Sequence, residues 1–481
     1  MSYKHGIYGM ELPTKVVPPI VSTAGLPVVF GTAPINLAKN PAEVNKPTLI
    51  YSYEEAVEKF GYSDDWGKYT LSEFMYSQFV LFGRAPVVLV NVLDKENHTK
   101  VGNEEIKLVD GKVVLKTKEV IAETVVATIK GEENTLILNK DYVLSFNNDG
   151  TLNFISLSDK IKNSTINLVF NTVDVSKVSE KDIIGGVDIS TGKKTGLELI
   201  SEVYPKFRVV PGSILAPKFS SNPEVAAILN SKARKINGLF NAIALVDAPS
   251  NLQYSDIPEW KNENNIVEDG QILFYPKLKL GDKVFHMSTQ MAGVICATDE
   301  KMGDIPYKSP SNESLKTNAT VNDNGELFLG IEEANYLNGQ GIVTAINFNG
   351  WKSWGNRMAC YPTKSDVKDT FIPIRRMFDW VLNTLILTYW SKIDDPMNKR
   401  LVETIVDSAN LWLNGLASSG AVIGARVAFE NTDNPVTDLM DGKIKFHVYL
   451  TPPSPAKEIV FIQEYDANYI TQFANELGGS N

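Results

Sequence analysis

The sequence predicts an α+β protein of several domains, in which an α/β core is interrupted by an all-β insertion. Short apolar strands alternate with amphipathic helices over residues 25–92, and this pattern resumes near Gly185. Between the two regions, the chain is rich in Lys, Glu, Asn, Val and Thr and contains many short strands separated by turn residues. Strands that alternate with helices are typical of a parallel sheet, whereas the intervening pattern is typical of a β-sandwich. A chain of 481 residues is long enough for two to four such domains.

Composition and predicted elements divide the chain into six segments. They are an N-terminal arm at 1–20, the first part of the α/β core at 21–93, an inserted β-sandwich at 94–182, the second part of the core at 183–355, an α/β C-terminal domain at 356–452 and a C-terminal arm at 453–481.

Each part of the core begins with a recognisable signal. Ser52 and Glu55 form a capping-box pattern for a helix that should end at Gly61, and Thr70–Phe82 carries apolar residues at helical spacing. After the insertion, Asn222-Pro223 is expected to start another helix. In the C-terminal domain, an apolar stripe predicts a helix from Ile374 to Tyr389, and Asp395-Pro396 is expected to cap the next one.

The insertion is predicted from a series of short strands. They are Lys112–Lys116, Thr124–Lys130, Thr135–Leu138, Tyr142–Phe146, Leu152–Leu157 and Ile166–Phe170.

The C-terminal arm contains a strand without an evident partner. Lys443–Leu450 alternates apolar and polar residues as a half-buried strand does, and Thr451–Pro455 is a stiff, proline-rich spacer. Glu458–Tyr465 is then apolar on both faces at its centre, at Ile459, Val460, Phe461 and Ile462. Such a strand should be buried, so it either packs on its own domain or is added to the sheet of another subunit.

Charge and cysteine content restrict the classes of function. A net charge of −10 argues against a nucleic-acid-binding protein and fits a soluble acidic one. Cys296 and Cys360 are far apart and form no CxxC pair, so we expect no disulfide framework. The N-terminus lacks the apolar region of a signal peptide, and no apolar run is long enough to span a bilayer, so no membrane insertion is expected.

The sequence contains no metal-binding or catalytic motif, and we expect neither a cofactor nor enzyme activity. No histidine has a second His or Cys at metal-ligand spacing, and both HExxH and GxSxG are absent. Gly185–Lys194 has the wrong spacing for a phosphate-binding loop and predicts a surface turn. Asp299-Glu300 is expected to be a solvated pair of carboxylates.

Two positions leave a serine hydrolase open as an alternative. Asp247 ends an apolar strand, where a carboxylate can be catalytic or can form a turn with Ala248-Pro249. The sequence His286-Met-Ser288 places a histidine near a serine. The turn is favoured at Asp247.

The most specific segment of the chain is Gly341–Arg357, which predicts a strand followed by a glycine turn and a tryptophan-bearing turn. Its residues Trp354, Gly355, Asn356 and Arg357 are expected to form a packed corner between two domains. This segment resembles the Trp-Gly-Asn-Arg segment of contractile phage tail sheath proteins, a family that includes the sheaths of phage-tail-like bacteriocins. Further segments similar to that family occur in the same order; they are His5–Tyr8, Arg208–Lys218, Ala244–Pro249, Ser309–Asn312 and Phe371–Asp379.

The resemblance implies a structural protein that assembles as hexameric rings, stacked helically around an inner tube. Contraction triggered by a baseplate would drive the tube through the envelope of a target cell. The central α/β domain would have a subtilisin-like topology without protease function, and the insertion would decorate the outer surface. The C-terminal sheath domain would face the tube. The protein would be found in a virion tail or a phage-tail-like particle, assembled in the cytoplasm of a bacterial host.

The resemblance also implies partners and contact residues. The partners are neighbouring sheath subunits, a tail tube protein, and baseplate and tail terminator proteins, without nucleic acid. The residues of the arms expected to link subunits are His5, Gly6, Ile7, Tyr8, Ile459, Val460, Phe461 and Ile462. Arg375 and Arg376 are expected either to face an acidic tube surface or to solvate the start of a helix. The alternatives to a sheath subunit are an α/β hydrolase-like enzyme with an accessory β-domain and another phage tail structural protein.

Overall fold

A computed structural model describes residues 18–147 and 149–478. The predicted N-terminal contact residues His5, Gly6, Ile7 and Tyr8 lie outside the described residues. The first elements of the core are β1 Pro27–Gly31, β2 Thr48–Ile50, α1 Tyr53–Phe60, α2 Thr70–Met75 and β3 Val87–Asn91.

The first two helices begin as the sequence predicts. The backbone N–H of Glu55 donates to the Ser52 hydroxyl at 3.1 Å, and Gly61 follows α1 with a φ of 70°. The predicted helix Thr70–Phe82 is present, but its second half is a π-helical segment, Tyr76–Leu81.

In its described residues, the insertion has six strands in two antiparallel sheets. The strands are β4 Thr99–Lys107, β5 Lys112–Lys118, β6 Val126–Ile129, β7 Tyr142–Phe146, β8 Thr151–Ser156 and β9 Thr165–Val173. Their orders are β4-β9-β6 and β5-β8-β7, and buried side chains from both sheets form one hydrophobic cluster. The predicted strand Thr135–Leu138 is wrong, because this segment makes only isolated bridges. Sequence analysis missed β4, in which Ile106 is the one buried residue.

The chain then returns to the core. Its elements are α3 Glu180–Ile184, β10 Gly186–Val187, β11 Lys194–Thr195, α4 Ile200–Phe207, β12 Ser213–Leu215, α5 Pro223–Ala233, β13 Ile243–Asp247, α6 Ile257–Glu263, β14 Gln271–Phe274, β15 Lys277–Leu280, β16 Lys283–Phe285, α7 Met287–Lys301, β17 Ala319–Asn322, β18 Gly325–Leu327, α8 Ile331–Gly339, β19 Ile342–Asn347 and β20 Trp351–Trp354. The Asn222 side chain caps α5, as predicted. The segment Gly185–Lys194 contains β10 and the turn that joins it to β11, in which the Asp188 carboxylate accepts hydrogen bonds from Ser190 and Thr191.

The core is built around an eight-stranded sheet with the order β2-β3-β1-β12-β13-β14-β19-β20. The six central strands are parallel, and β2 and β20 run antiparallel at the two edges. Separate hydrophobic clusters fill the two faces: α1, α2 and α7 pack on one, and α3, α4, α5, α6 and α8 pack on the other. Burial on both faces explains why its strands are apolar runs rather than alternating patterns. The smaller sheet β16-β15-β17-β18 lies beside this core.

The C-terminal region contains α9 Val367–Thr370, α10 Ile372–Tyr389, α11 Lys399–Ser418, β21 Gly424–Ala428, α12 Val436–Met440, β22 His447–Thr451 and α13 Asn468–Gly478. The predicted cap of α11 at Asp395-Pro396 is wrong, since the Asn398 side chain accepts from the backbone N–H of Leu401 at 3.0 Å. β22 is shorter than predicted and pairs antiparallel with β21. Short 3₁₀ segments lie at Ile35–Leu37, Ala122–Thr124, Asp159–Ile161, Val175–Lys177, Gly196–Leu199, Trp390–Lys392 and Asn431–Asp433. No helix in the described ranges combines the length and apolarity that crossing a membrane requires.

Because the insertion has its own hydrophobic cluster, a core substitution there should act locally. Phe154 is buried and stacks on Tyr142 with ring centroids 4.5 Å apart. Phe154→Ala should therefore cost the insertion about 3–5 kcal/mol of stability. Hydrogen exchange should accelerate in β7 and β8 while the eight-stranded sheet keeps its protection. Val114→Ala, at an exposed position, is the control, and equal loss of protection in both regions would contradict the expectation.

Candidate functional site

The segment Trp354–Arg357 forms a sharp corner where the eight-stranded sheet ends. Gly355 has a φ of 139°, a backbone conformation that side chains other than glycine rarely adopt. A Cβ at this position would lie 2.6 Å from the Asn338 Oδ1 and 3.0 Å from the Cα of Val343. The Gly355 N–H donates to the Ser311 hydroxyl at 3.0 Å. The corner therefore depends on glycine for both its conformation and its close packing.

Arg357 connects this corner to the segment that begins α10. Its guanidinium carbon lies 3.6 Å from the centroid of the Phe371 ring and 4.4 Å from that of Tyr361. Its Nη1 donates to the Thr370 hydroxyl at 2.7 Å, and burial lowers the pKa of the guanidinium. Stacking and hydrogen bonding together fix the path of the chain between the sheet and α10.

The segment Ser309–Asn312, also predicted from the family resemblance, lies against this corner. The Asn312 N–H donates to the Ser353 carbonyl at 2.6 Å, and the Ser353 N–H donates to the Glu313 carbonyl at 2.9 Å. Two sequence-predicted segments about forty residues apart are thus brought together by backbone hydrogen bonds.

A cavity of about 840 Å³, which we call the corner groove, adjoins Trp354–Arg357. One wall is formed by the corner with Tyr307 and Tyr361, and another by the arm residues Pro453–Glu458. Pro452 is buried at the root of the arm, so the spacer leaves the domain along the groove.

Beyond the groove, the arm is exposed. Ile459, Val460, Phe461 and Ile462 have between 68% and 87% of their surface accessible. Within the described part of the chain, residues 456–466 belong to no strand and pair with no sheet. The isolated chain therefore leaves these four apolar side chains without the burial that a central strand normally has.

Arg375 and Arg376 occupy positions that correct the sequence-based expectation. Arg376 is 5% exposed; its Nη1 donates to Asp299 Oδ1 at 2.9 Å, and its Nη2 contacts Asp299 Oδ2. Arg375 is also buried and donates to Asp369 at 3.1 Å and to Asp379 at 2.9 Å. Because both cations are paired inside the chain, they neither face a tube nor solvate a helix.

The same ion pair corrects the interpretation of Asp299-Glu300. Asp299 is buried against Arg376, whereas Glu300 is exposed and contacts Arg84. Asp299 lies in α7 of the core and Arg376 in α10, so their pair joins the C-terminal helix to the core across 77 residues of sequence. A local pattern such as two adjacent acids does not reveal a partner at that separation.

The residues considered for hydrolase chemistry are close together but wrongly connected for a catalytic triad. The Asp247 carboxylate accepts hydrogen bonds from the backbone N–H and the hydroxyl of Ser288, and burial raises its pKa. His286 Nδ1 lies 2.9 Å from Glu73 Oε2 and therefore does not act on Ser288. Ser288 is fully buried, so its hydroxyl cannot reach a substrate. A triad needs the histidine between the serine and the acid, and this arrangement places it elsewhere.

Other chemistry is not supported by the described residues. Across 18–147 and 149–478, no group of three or more His, Cys, Asp or Glu side chains is arranged to hold a metal ion. Cys296 and Cys360 are free, and burial raises the pKa of both thiols, to about 12 and about 11 respectively. A raised pKa keeps a thiol protonated and unreactive at neutral pH.

The architecture and the corner define a multidomain α/β protein built around a mostly parallel eight-stranded sheet. Its fold is that of contractile injection system sheaths. The PVC sheath in the contracted state aligns with a TM-score of 0.59 at 15% identity, covering 98% of this chain and 99% of the other. The contracted helical sheath of the anti-feeding prophage aligns with a TM-score of 0.57 at 14% identity, covering 97% and 100%.

Relatives in sequence confirm the resemblance to contractile tail sheath proteins. The chain is 24% identical to the tail sheath protein of Burkholderia phage BcepMu over 498 aligned residues, covering 98% of both proteins. It is 26% identical to a putative prophage major tail sheath protein of Pseudomonas aeruginosa UCBPP-PA14, covering 60% of this chain and 74% of the relative. The tail sheath protein of Escherichia phage P2 is 23% identical to this chain, and the alignment covers 62% of this chain and 74% of the relative. No family model matches the chain.

Breaking the Arg376–Asp299 pair should be strongly destabilising. Arg376→Met leaves a buried carboxylate without its cation and should cost about 3–5 kcal/mol in the free energy of unfolding. Adding Asp299→Leu should recover part of this loss, because the remaining charge is removed as well. Denaturant unfolding measures both effects. Lys399→Met, at an exposed ion pair with Glu403, is the control and should change stability little. A stable Arg376→Met variant would contradict the assignment.

The His286–Glu73 contact predicts a pH-dependent contribution to stability. Burial of His286 lowers its pKa, but the charge and hydrogen bond of Glu73 raise it by more. Asp247 raises the pKa further and Lys277 lowers it slightly. The pKa of His286 is therefore raised above 6.5. A group with a raised folded-state pKa stabilises fully below its unfolded pKa and loses this contribution as pH rises through the folded value.

The difference in unfolding free energy between the wild type and His286→Asn should therefore be largest below the unfolded-state pKa of about 6.5 and decrease as the pH rises above it. Urea unfolding on both sides of this pKa measures it. In a Glu73→Gln background this pH dependence should become much smaller, because Glu73 raises the pKa of His286 more than Asp247 does. An undiminished pH dependence there would exclude Glu73 as its main source.

Proposed function

We propose that this chain is the structural subunit of a contractile tail sheath. It polymerises as helically stacked hexameric rings around a tail tube, and contraction of the polymer drives the tube through the envelope of a target cell. One observation carries this proposal: the BcepMu tail sheath protein aligns with 98% of the chain, from the core through the insertion to the C-terminal arm. Similarity over that length involves every segment of a sheath subunit rather than one shared domain.

The partners and location follow from this role. The subunit contacts neighbouring sheath subunits, a tail tube protein, and baseplate and tail terminator proteins, without nucleic acid and without inserting into a membrane. It belongs to a virion tail or a phage-tail-like particle, assembled in the cytoplasm of a bacterial host. Solved structures of the anti-feeding prophage baseplate, whose chain shares this fold with a TM-score of 0.57, support a place beside such an assembly.

The domain division belongs to the same proposal. A subtilisin-like central domain comprises residues 21–93 and 183–355, the β-sandwich at 94–182 lies on the outer surface of the particle, and the sheath domain comprises 356–452. The sequence contiguity of each segment and the separate hydrophobic clusters support this division. The arms at 1–20 and 453–481 connect subunits.

Strand addition by the arms links the subunits. Ile459, Val460, Phe461 and Ile462 complete the sheet of a neighbour, and His5–Tyr8 of the N-terminal arm serves the same purpose. Exposure of the four apolar side chains supports this role. Burying each in a neighbour contributes roughly 1.5–3 kcal/mol, and the backbone ladder fixes the register.

Contraction requires that rigid subunits reorient while remaining linked. The polymer has two packings, and the extended one is kinetically trapped. The buried ion pairs between α10 and the core support a subunit that reorients as one body, and the proline spacer supplies the hinge. Weak surface ion pairs between subunits can then exchange partners at low cost.

Electron microscopy tests the role of the arm. The purified wild-type chain should form sheath-like tubes without cofactors, whereas Phe461→Asp and deletion of residues 455–481 should abolish them, since a charge is costly in a buried strand. Gln463→Asp, one position beyond the apolar run, is the matched control and should still assemble. Circular dichroism confirms that each variant is folded. Long tubes formed by the deletion variant would contradict the proposed strand addition, and a monodisperse wild-type monomer at high concentration would contradict the sheath function.

A further inference from the structure

The terminal helix α13 is amphipathic and belongs to no hydrophobic cluster of the described residues. Its apolar side chains Tyr469, Ile470, Phe473 and Leu477 recur at helical spacing on one face. They are between 57% and 70% exposed, and α13 has no buried residue. An apolar stripe of this extent on an isolated helix indicates an interaction surface. Strand addition through Ile459–Ile462 does not use it.

The corner groove has the complementary character. Its walls carry the aromatic rings of Tyr307, Trp354 and Tyr361. Its charged lining residues are the cations Lys308, Arg357 and Lys457 and a single carboxylate, Glu458. The groove is therefore net positive in a chain whose net charge is −10.

The segment that carries α13 is acidic. Residues 459–478 contain the carboxylates Glu464, Asp466 and Glu476 and no Lys or Arg. The helix itself contains only Glu476, and Glu464 and Asp466 precede it. The acidic segment with its apolar helix and the basic, aromatic groove therefore match in both charge and apolar character. An eleven-residue helix is about 16 Å long, a length suited to a groove of this volume.

We infer that α13 of one subunit docks in the corner groove of a second copy of this chain. The inference rests on the proposed function, which requires that copies associate. Its apolar face would pack against the groove aromatics, as in other helix-in-groove contacts, while its single carboxylate, Glu476, meets the cations Lys308 and Arg357 at the rim.

A contact between two copies follows from how the arm leaves the groove. Pro453–Glu458 occupies one wall, and the exposed segment from Ile459 to Ala467 can extend about 30 Å beyond it. The helix can therefore reach the groove of a second copy. A contact that joins two different surfaces repeats from copy to copy and builds either a closed ring or an open helical polymer.

Cysteine trapping with full-length chains tests the contact. One population carries Phe473→Cys on the apolar face of α13, and a second, differently tagged population carries Lys308→Cys in the groove. The matched controls are Gln472→Cys on the polar face and Lys301→Cys. Lys301 and Lys308 are both exposed and both pair with Glu313, but Lys301 lies outside the groove.

Mixing Phe473→Cys with Lys308→Cys under mild oxidation should give about tenfold more mixed-tag disulfide than any pairing with a control, because docking raises the local thiol concentration. Equal yields for all pairings would overturn the inference. A disulfide within single chains carrying both substitutions, without mixed-tag product, would overturn it in favour of docking within one subunit.

Microscopy of the same samples separates the inference from the proposed function. Tubes without the specific mixed-tag product would overturn the docking and leave the sheath function in place. The specific product without tubes would support the docking and overturn the sheath function. A further pair tests charge complementarity separately from proximity. Asn335→Cys, also in the groove, should trap Phe473→Cys of a second chain. Adding Lys308→Glu to the Asn335→Cys chain should reduce this trapping, whereas adding Lys301→Glu should not.

Discussion

The buried ion pair between Arg376 and Asp299 is the constraint on which the arrangement of the subunit depends. It holds α10 against the core, where the Asn383 amide also donates to the Asn241 carbonyl at 2.8 Å and the Trp380 indole donates to the chain that precedes β1 at 2.9 Å. Lifting the helix would leave a charge buried without its partner, at a cost of several kcal/mol. α10 and the core are therefore held together as one packed unit.

The corner at Trp354–Arg357 lies between this packed unit and the C-terminal arm. The corner sets the path into α10 through Arg357 and Phe371, and it also forms a wall of the groove along which the arm leaves. A change in the position of α10 would alter the direction of the arm as well. The segment Trp354–Arg357 thus lies next to both the start of α10 and the C-terminal arm.

Local patterns predicted much of the fold, and the errors occurred where distant residues decide. α5 was predictable from its Asn222 cap and α10 from its apolar stripe, because both signals are local in the sequence. β4 was missed because a single buried residue gives no alternation, and α13 was missed although its spacing is visible in the sequence. Arg375 and Arg376 were misassigned because their acidic partners are set by the tertiary fold. The corner itself was predicted, but the groove was not, since its walls come from segments about a hundred residues apart.

The edges of the eight-stranded sheet have a consequence for fidelity of assembly. Along the outer side of β20, the Asn312 N–H donates to the Ser353 carbonyl and the Leu315 N–H donates to the Trp351 carbonyl, while β2 at the opposite edge is only three residues long. Open edges in a protein present at high local concentration would accept arms indiscriminately and produce branched aggregates. In the proposed sheath, a covered edge and a short edge strand would make the largest sheet a poor acceptor for the arms of neighbouring subunits. The backbone hydrogen bonds that complete the corner would then also limit misassembly.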